Sequence, residues 1–172
     1  MKNIVLLGFM GTGKSSVGRM LAKRLQRPFI DTDQKIETDY KKTIPEIFAE
    51  HGEEGFRKIE QEVIAEVSGM KGVIISTGGG SVLRKANVDA LRQNGILITL
   101  TASAKVIIER VSRKKNRPLL NRPDRDEFIQ KLMNEREPFY SVGDLIVDTT
   151  ESALHEVTNK IIDYLLKRGE VK

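Results

Sequence analysis

Gly8-Phe9-Met10-Gly11-Thr12-Gly13-Lys14-Ser15 carries the densest chemistry in this chain: its glycines, lysine and hydroxyl fit the pattern G-x-x-x-x-G-K-[ST]. Glycines let a backbone approach a phosphate chain closely and turn its N–H groups inward. A helix opening directly behind them adds unpaired N–H groups and a positive dipole end. The flanks supply both requirements. Ile4-Val5-Leu6-Leu7 reads as a buried strand, and Val17, Met20, Leu21 and Leu25 recur at helical spacing. In that setting Lys14 reaches the β- and γ-phosphates of ATP, and the Ser15 hydroxyl can ligate Mg²⁺. The expected phosphate-binding set is Gly11, Thr12, Gly13, Lys14, Ser15 and Ser16.

Phosphoryl transfer is mostly positioning and charge neutralisation, so such a site calls for Mg²⁺ ligands, cations around the moving phosphoryl and groups that hold an acceptor. Asp31-Thr32-Asp33 ends the short apolar run Phe29-Ile30, at the end of a strand where ligands bind in open α/β sheets. On an extended segment the two carboxylates share a face. One could serve Mg²⁺ and the other could orient an acceptor hydroxyl and take its proton. The alternative is that Thr32 or Asp33 caps a helix starting at Gln34. Asp148, behind Leu145-Ile146-Val147, is a rival metal carboxylate.

The cations are less specific by themselves. Arg57 lies one helical turn from Glu53, Glu60 and Gln61, which also suits a solvated ion pair. Arg136, at i+4 from Leu132 and i+3 from Met133, ends an apolar stripe, where a cation either snorkels or meets an anion in a pocket. Residues 112 to 126 are strongly charged, with two prolines and one apolar pair, and read as a mobile lid. Within it Arg117 could reach the γ-phosphate on closure, or remain a solvated charge. His51 and His155 stand apart without ligand-like neighbours and read as surface or capping residues.

The remaining pattern says what must hold these groups. Phe29–Asp31, Val73–Ser76, Ile96–Leu100 and Leu145–Asp148 read as buried strands, alternating with helical stripes. Thr43 with Glu46 resembles a capping box, and a second helix from about Glu53 carries Phe56, Ile59, Val63 and Val67. Thr77-Gly78-Gly79-Gly80, directly behind a strand, implies close backbone approach. Gly95 suits a left-handed C-cap, Ser103 opens a helix carrying Val106, Ile107 and Val111, and Phe128, Leu132 and Met133 stripe a helix up to Pro138. Nearly unbroken apolar strands alternating with helices indicate a parallel sheet covered on both faces.

With 172 residues and no internal repeat or linker, the chain is expected to form one domain over 1–172. There is no cysteine, which excludes disulfides and thiolate metal sites. The opening residues lack a signal-peptide pattern and no apolar run is long enough to span a membrane, so a cytoplasmic location is expected. The net charge of +5 suits nucleic acid or an anionic small substrate, but only the lid is densely basic and it has no aromatic residue. A P-loop ATPase that binds nucleic acid is therefore disfavoured.

Taken together, the glycine loop, Asp31-Thr32-Asp33, Phe48 through Arg57, Gly78-Gly79-Gly80, Arg117-Pro118-Leu119-Leu120 and Arg136 with Tyr140 occur in the order and approximate spacing of the shikimate kinases, which the chain resembles from residue 2 to about 165. The resemblance implies an α/β, three-layer P-loop fold of the nucleoside-monophosphate-kinase-like type, a short parallel sheet flanked by helices, with a mobile lid. It implies an enzyme that uses ATP and Mg²⁺ to phosphorylate the 3-hydroxyl of shikimate, on the route to chorismate and the aromatic amino acids. By position, Asp33, Arg57, Gly79 and Arg136 would contact shikimate, with Asp33 at the reacting hydroxyl and the arginines on the carboxylate. Lys14 and Arg117 would stabilise the transferring phosphoryl, Ser15 and Asp31 would hold Mg²⁺ (Asp31 through water), Arg110 would stack on adenine, and Glu60 would orient Arg57. The implied partners are ATP and shikimate, with no nucleic acid or membrane, and the expected state is a monomer. A gluconate or nucleotide kinase on the same fold is the alternative.

Overall fold

The computed structural model describes residues 1–113 and 122–171. Strand β1 (Asn3–Leu7) leads through the glycine loop into α1 (Lys14–Leu25), β2 (Phe29–Asp31), α2 (Thr32–Tyr40), α3 (Ile44–Ser68) and β3 (Ile74–Ser76). A 3-10 turn (Ser81–Leu83) precedes α4 (Lys85–Asn94), β4 (Gly95–Thr101) and α5 (Ala104–Ser112). Then follow α6 (Arg125–Arg136), a second 3-10 segment (Glu137–Val142), β5 (Leu145–Asp148) and α7 (Leu154–Lys167).

The strands form a single five-stranded sheet in the order β2-β3-β1-β4-β5, and each neighbouring pair is parallel, with Ile4 in register with Ile74 on one side and Ile96 on the other. Successive side chains of a strand point to opposite faces, so the unbroken apolar run of β1 serves two cores at once. Ile4 and Leu6 join Ile74, Ile96 and Ile98 under Val17 and Leu21 of α1 and Val157, Ile161 and Leu165 of α7. Val5 and Leu7 join Ile75 and Leu97 under the helices of the other side, including Ile59, Val63 and Val67 of α3. The result is the expected three-layer P-loop kinase-like architecture. Successive strands leave β1 on its two sides, so the order reverses at β1, where open α/β sheets bind ligands beyond the strand ends.

Several local expectations change. Phe29–Asp31 is a strand but an edge one, and all three residues are half-buried because only β3 covers its side. The two helices expected after Thr43 run on as α3, broken at Gly52, whose φ of 66° and ψ of −179° only glycine adopts without strain. That break folds the Phe48 ring back onto Phe56, centroids 4.4 Å apart. The Thr43–Glu46 capping box is present, Thr43 N donating to Glu46 Oε2 at 2.7 Å. Gly95 is not left-handed: with φ −123° it starts β4, and it is small because a Cβ there would meet Leu91 O at 2.4 Å. On α6 the fully buried residue is Ile129, while Phe128 is half-buried beneath the Arg122 guanidinium. Ile129 therefore leads the stripe, and Arg136 at i+7 lies on its buried face. The proposed lid overlaps the end of α5 and the start of α6, but residues 114–121, including Arg117, lie outside the described residues.

Candidate active site

The glycine loop follows β1 and takes backbone angles closed to other residues, with φ +78° at Gly11 and +98° at Gly13, the N-cap of α1. The N–H groups of the first turn of α1, at Lys14, Ser15 and Ser16, have no intrahelical acceptor and face this loop. Thr12 is buried and pins the loop by donating its hydroxyl to Phe9 O at 2.8 Å. Lys14, 8% exposed, lays its Nζ across the loop onto Gly8 O (2.8 Å) and Phe9 O (2.9 Å). The cradle and its ammonium are thus preassembled where a triphosphate tail would lie.

Asp31 and Asp33 do not share an extended face. The chain turns helical at Thr32, so Asp31 becomes the N-cap of α2, its Oδ1 accepting from Asp33 N (3.1 Å) and Gln34 N (3.3 Å). Neither Thr32 nor Asp33 is the cap. The other carboxylate oxygen of Asp31 accepts from Ser15 Oγ at 2.7 Å. That places two hard oxygen donors side by side at the edge of the phosphate cradle, as a divalent cation that also takes phosphate oxygens requires. Asp148 is spent elsewhere: Thr150 donates its amide (2.8 Å) and hydroxyl (2.6 Å) to it. The hydroxyl and then the amide of Thr150 hold the Asp148 carboxyl below its ordinary range.

Asp33 instead faces the turn behind β3. A Cβ added to Gly78 would meet Asp33 Oδ1 at 2.8 Å and Glu60 Oε1 at 3.1 Å, and one at Gly80 would lie 2.5 Å from Arg57 Nη2. Gly78 and Gly80 are bare so that two carboxylates and a guanidinium can close on their backbone. Gly79 also abuts the phosphate loop, its absent Cβ falling 3.4 Å from Met10 N. Arg57 does pair with the exposed Glu53 at 3.9 Å, but its closer partner is buried. Arg57 Nη1 donates to Glu60 Oε2 at 2.8 Å, with side-chain exposures of 12% and 1%. Ser81 Oγ donates to the other Glu60 oxygen at 2.8 Å, and Asn87 Nδ2 to Ser81 O at 3.0 Å. A buried ion pair survives desolvation only when its remaining lone pairs are occupied in this way.

Arg136 ends α6, and its guanidinium lies close enough to the Tyr140 hydroxyl to act on it electrostatically; that hydroxyl donates to Gly79 O at 2.5 Å. Arg110 bridges rather than projecting outward, donating to Gly11 O (3.1 Å), Thr149 Oγ1 (3.0 Å) and Thr149 O (2.6 Å). Four supporting roles are not legible in the sequence. Ser81 supports Glu60, Thr32 Oγ1 accepts from Gly78 N at 3.2 Å, Tyr140 holds Gly79, and Thr149 holds Arg110. For Thr32 the only signal was a small hydroxyl between two strand-end aspartates.

The glycine loop with Lys14 and the Gly78–Gly80 turn with Asp33 and Arg57 therefore adjoin, an arrangement suited to moving a phosphoryl group onto a small hydroxylated anion. The family model described as Shikimate kinase matches residues 10–166. The chain belongs to the shikimate kinase family. A shikimate kinase from Pelotomaculum thermopropionicum is 49% identical over 172 residues, covering 100% of both chains. One from Caldanaerobacter subterraneus subsp. tengcongensis is 44% identical over 97% of this chain and 98% of its own. Among solved structures, a shikimate kinase from Acinetobacter baumannii in complex with shikimate superposes with a TM-score of 0.92 at 37% identity, covering 98% of this chain and 94% of that one. Family membership makes the chain a kinase that uses ATP, and no helix among the described residues is long and apolar enough to cross a membrane.

Proposed function

We propose that this kinase transfers the γ-phosphoryl of ATP to the 3-hydroxyl of shikimate, using Gly11 through Ser16 for the phosphates and the hollow around Gly79 for the acid. The observation that carries this reading is the convergence of Asp33 and Arg57 on the Gly78–Gly80 turn, against the phosphate loop, with Arg136 close to the Tyr140 hydroxyl that donates to Gly79. Arg57 and Arg136 would take the carboxylate, a planar anion that guanidinium donors match. Asp33 would accept the hydrogen bond of the 3-hydroxyl and orient it. The hydroxyl oxygen bonds to the γ-phosphorus as the bond to the β-phosphate oxygen breaks, ADP leaves, and the proton passes to Asp33 or to solvent. Lys14 stabilises charge on the transferring group, and Arg117 is assigned the same task. Arg110, on Gly11 and Thr149, borders the adenine end.

Ser15 and Asp31 would hold Mg²⁺, with Asp31 acting through water. Their paired oxygens fit that ion, which when bound neutralises phosphate charge. We take the protein to work as a monomer in the cytoplasm.

The test is ADP release with shikimate, gluconate and nucleoside monophosphates as acceptors. Shikimate should be turned over and the others ignored; preference for another acceptor would overturn the reading. Arg136→Ala should raise KM for shikimate roughly 10- to 100-fold, the loss of a charge-assisted hydrogen bond, with KM for ATP unchanged. A parallel rise in both constants would count against a carboxylate clamp.

A further inference from the structure

The acid-binding hollow is built from two separate parts of the chain, and one side chain touches both. Gly79 follows β3 and Arg57 stands on α3, whereas Arg136 is the last residue of α6. Tyr140 joins them: its hydroxyl donates to Gly79 O at 2.5 Å, and the Arg136 and Arg57 guanidiniums both lie close enough to act on it electrostatically. Its own carbonyl accepts from the buried Thr99 Oγ1 at 2.8 Å, which ties this residue to β4 in the rigid sheet. The residue is 8% exposed, so its ring is held by packing as well as by hydrogen bonds.

We infer that Tyr140 is a positioning residue for the acid substrate: one hydroxyl fixes the spacing between Gly79 and the Arg136 guanidinium, so the clamp is set for a planar carboxylate before the acid arrives. This rests on the reading that Arg136 meets the shikimate carboxylate. Without the hydroxyl, Arg136 keeps its charge but regains rotamer freedom, which binding must then remove. Burial pushes the Tyr140 hydroxyl up to about 12, against the opposing pull of Arg136 and Arg57. It therefore stays protonated, and donates to Gly79, throughout the working range of pH.

Tyr140→Phe keeps the buried ring and removes the hydroxyl. Steady-state kinetics should show KM for shikimate raised about tenfold, equivalent to about 1.4 kcal/mol, with kcat and KM for ATP little changed. The matched probe is the analogue whose carboxylate is replaced by a hydroxymethyl group. Its KM should be high in the parent and nearly the same in the variant, because it makes no use of the clamp. An unchanged KM for shikimate, or an equal rise for acid and alcohol, would overturn the proposal. Should Tyr140→Phe fail to fold, Thr99→Val, which releases the same residue from β4, is expected to give the same split and is read in the same way. Failure of the parent itself to phosphorylate shikimate would sink the underlying reading and this one with it.

Discussion

Lys14→Met is expected to lower kcat roughly 100- to 1,000-fold or more while the protein remains folded, the loss measured when a preorganised charge stabiliser is removed. Methionine keeps the length and apolar stem of a side chain that is 8% exposed, so the packing at the start of α1 is preserved. What disappears is the ammonium that lies on Gly8 O and Phe9 O, and with it the only side-chain cation that the glycine loop itself contributes. The check is kcat by ADP release, beside circular dichroism and a thermal melt. Near-parental turnover in a folded variant would remove the phosphate site from the account.

Asp33→Asn is expected to lower kcat roughly 100- to 10,000-fold, the span for a group that handles a proton at the reacting atom, with KM for ATP close to that of the parent. The variant is nearly isosteric and sits in the first turn of α2, where Asp31, not Asp33, supplies the cap. Loss of fold is therefore not the expected outcome, and a melting temperature near that of the parent checks it. Because the amide can still hydrogen-bond a hydroxyl, a large fall in kcat points to proton handling, and a small fall points to orientation alone. Unchanged kcat and KM for shikimate would place the acceptor hydroxyl elsewhere.

The parts of this molecule that were legible in the sequence are those whose local chemistry leaves little choice. The glycine loop is one, since that spacing brings amides and an ammonium together within eight residues. The Thr43–Glu46 box is another, because cap and helix lie within four residues of each other. The strands were legible because a sheet covered on both faces needs unbroken apolar runs, which β1 and β4 provide.

What escaped depends on how distant segments meet. Whether Asp31 or Asp33 caps α2 is decided by where the chain turns helical, and that turn also hands Asp31 to Ser15, sixteen residues away. Glu60, which the family resemblance pairs with Arg57, was legible from the local pattern as well. It lies at i+4 from Phe56, beside Ile59 and i−3 from Val63, on the face that α3 buries. A carboxylate on such a stripe needs a buried cation, which Arg57 supplies one turn earlier, and the Ser81 hydroxyl comes from beyond β3. Tyr140 is marked only by its place beside Arg136 in the family pattern: its partners are Gly79 and Thr99, and nothing in the local pattern around Pro138 predicts that it reaches either.

The central claim is that one phosphoryl group passes from ATP to a defined hydroxyl of an acid seated between Arg57 and Arg136. The most direct measurement is the phosphorus–proton correlation spectrum of the product formed from ATP, Mg²⁺ and shikimate. A phosphorus coupled to the proton on C3, with one ADP released for each product molecule, is the predicted result. Coupling to the proton on C4 or C5, or ADP accompanied only by inorganic phosphate, would contradict it.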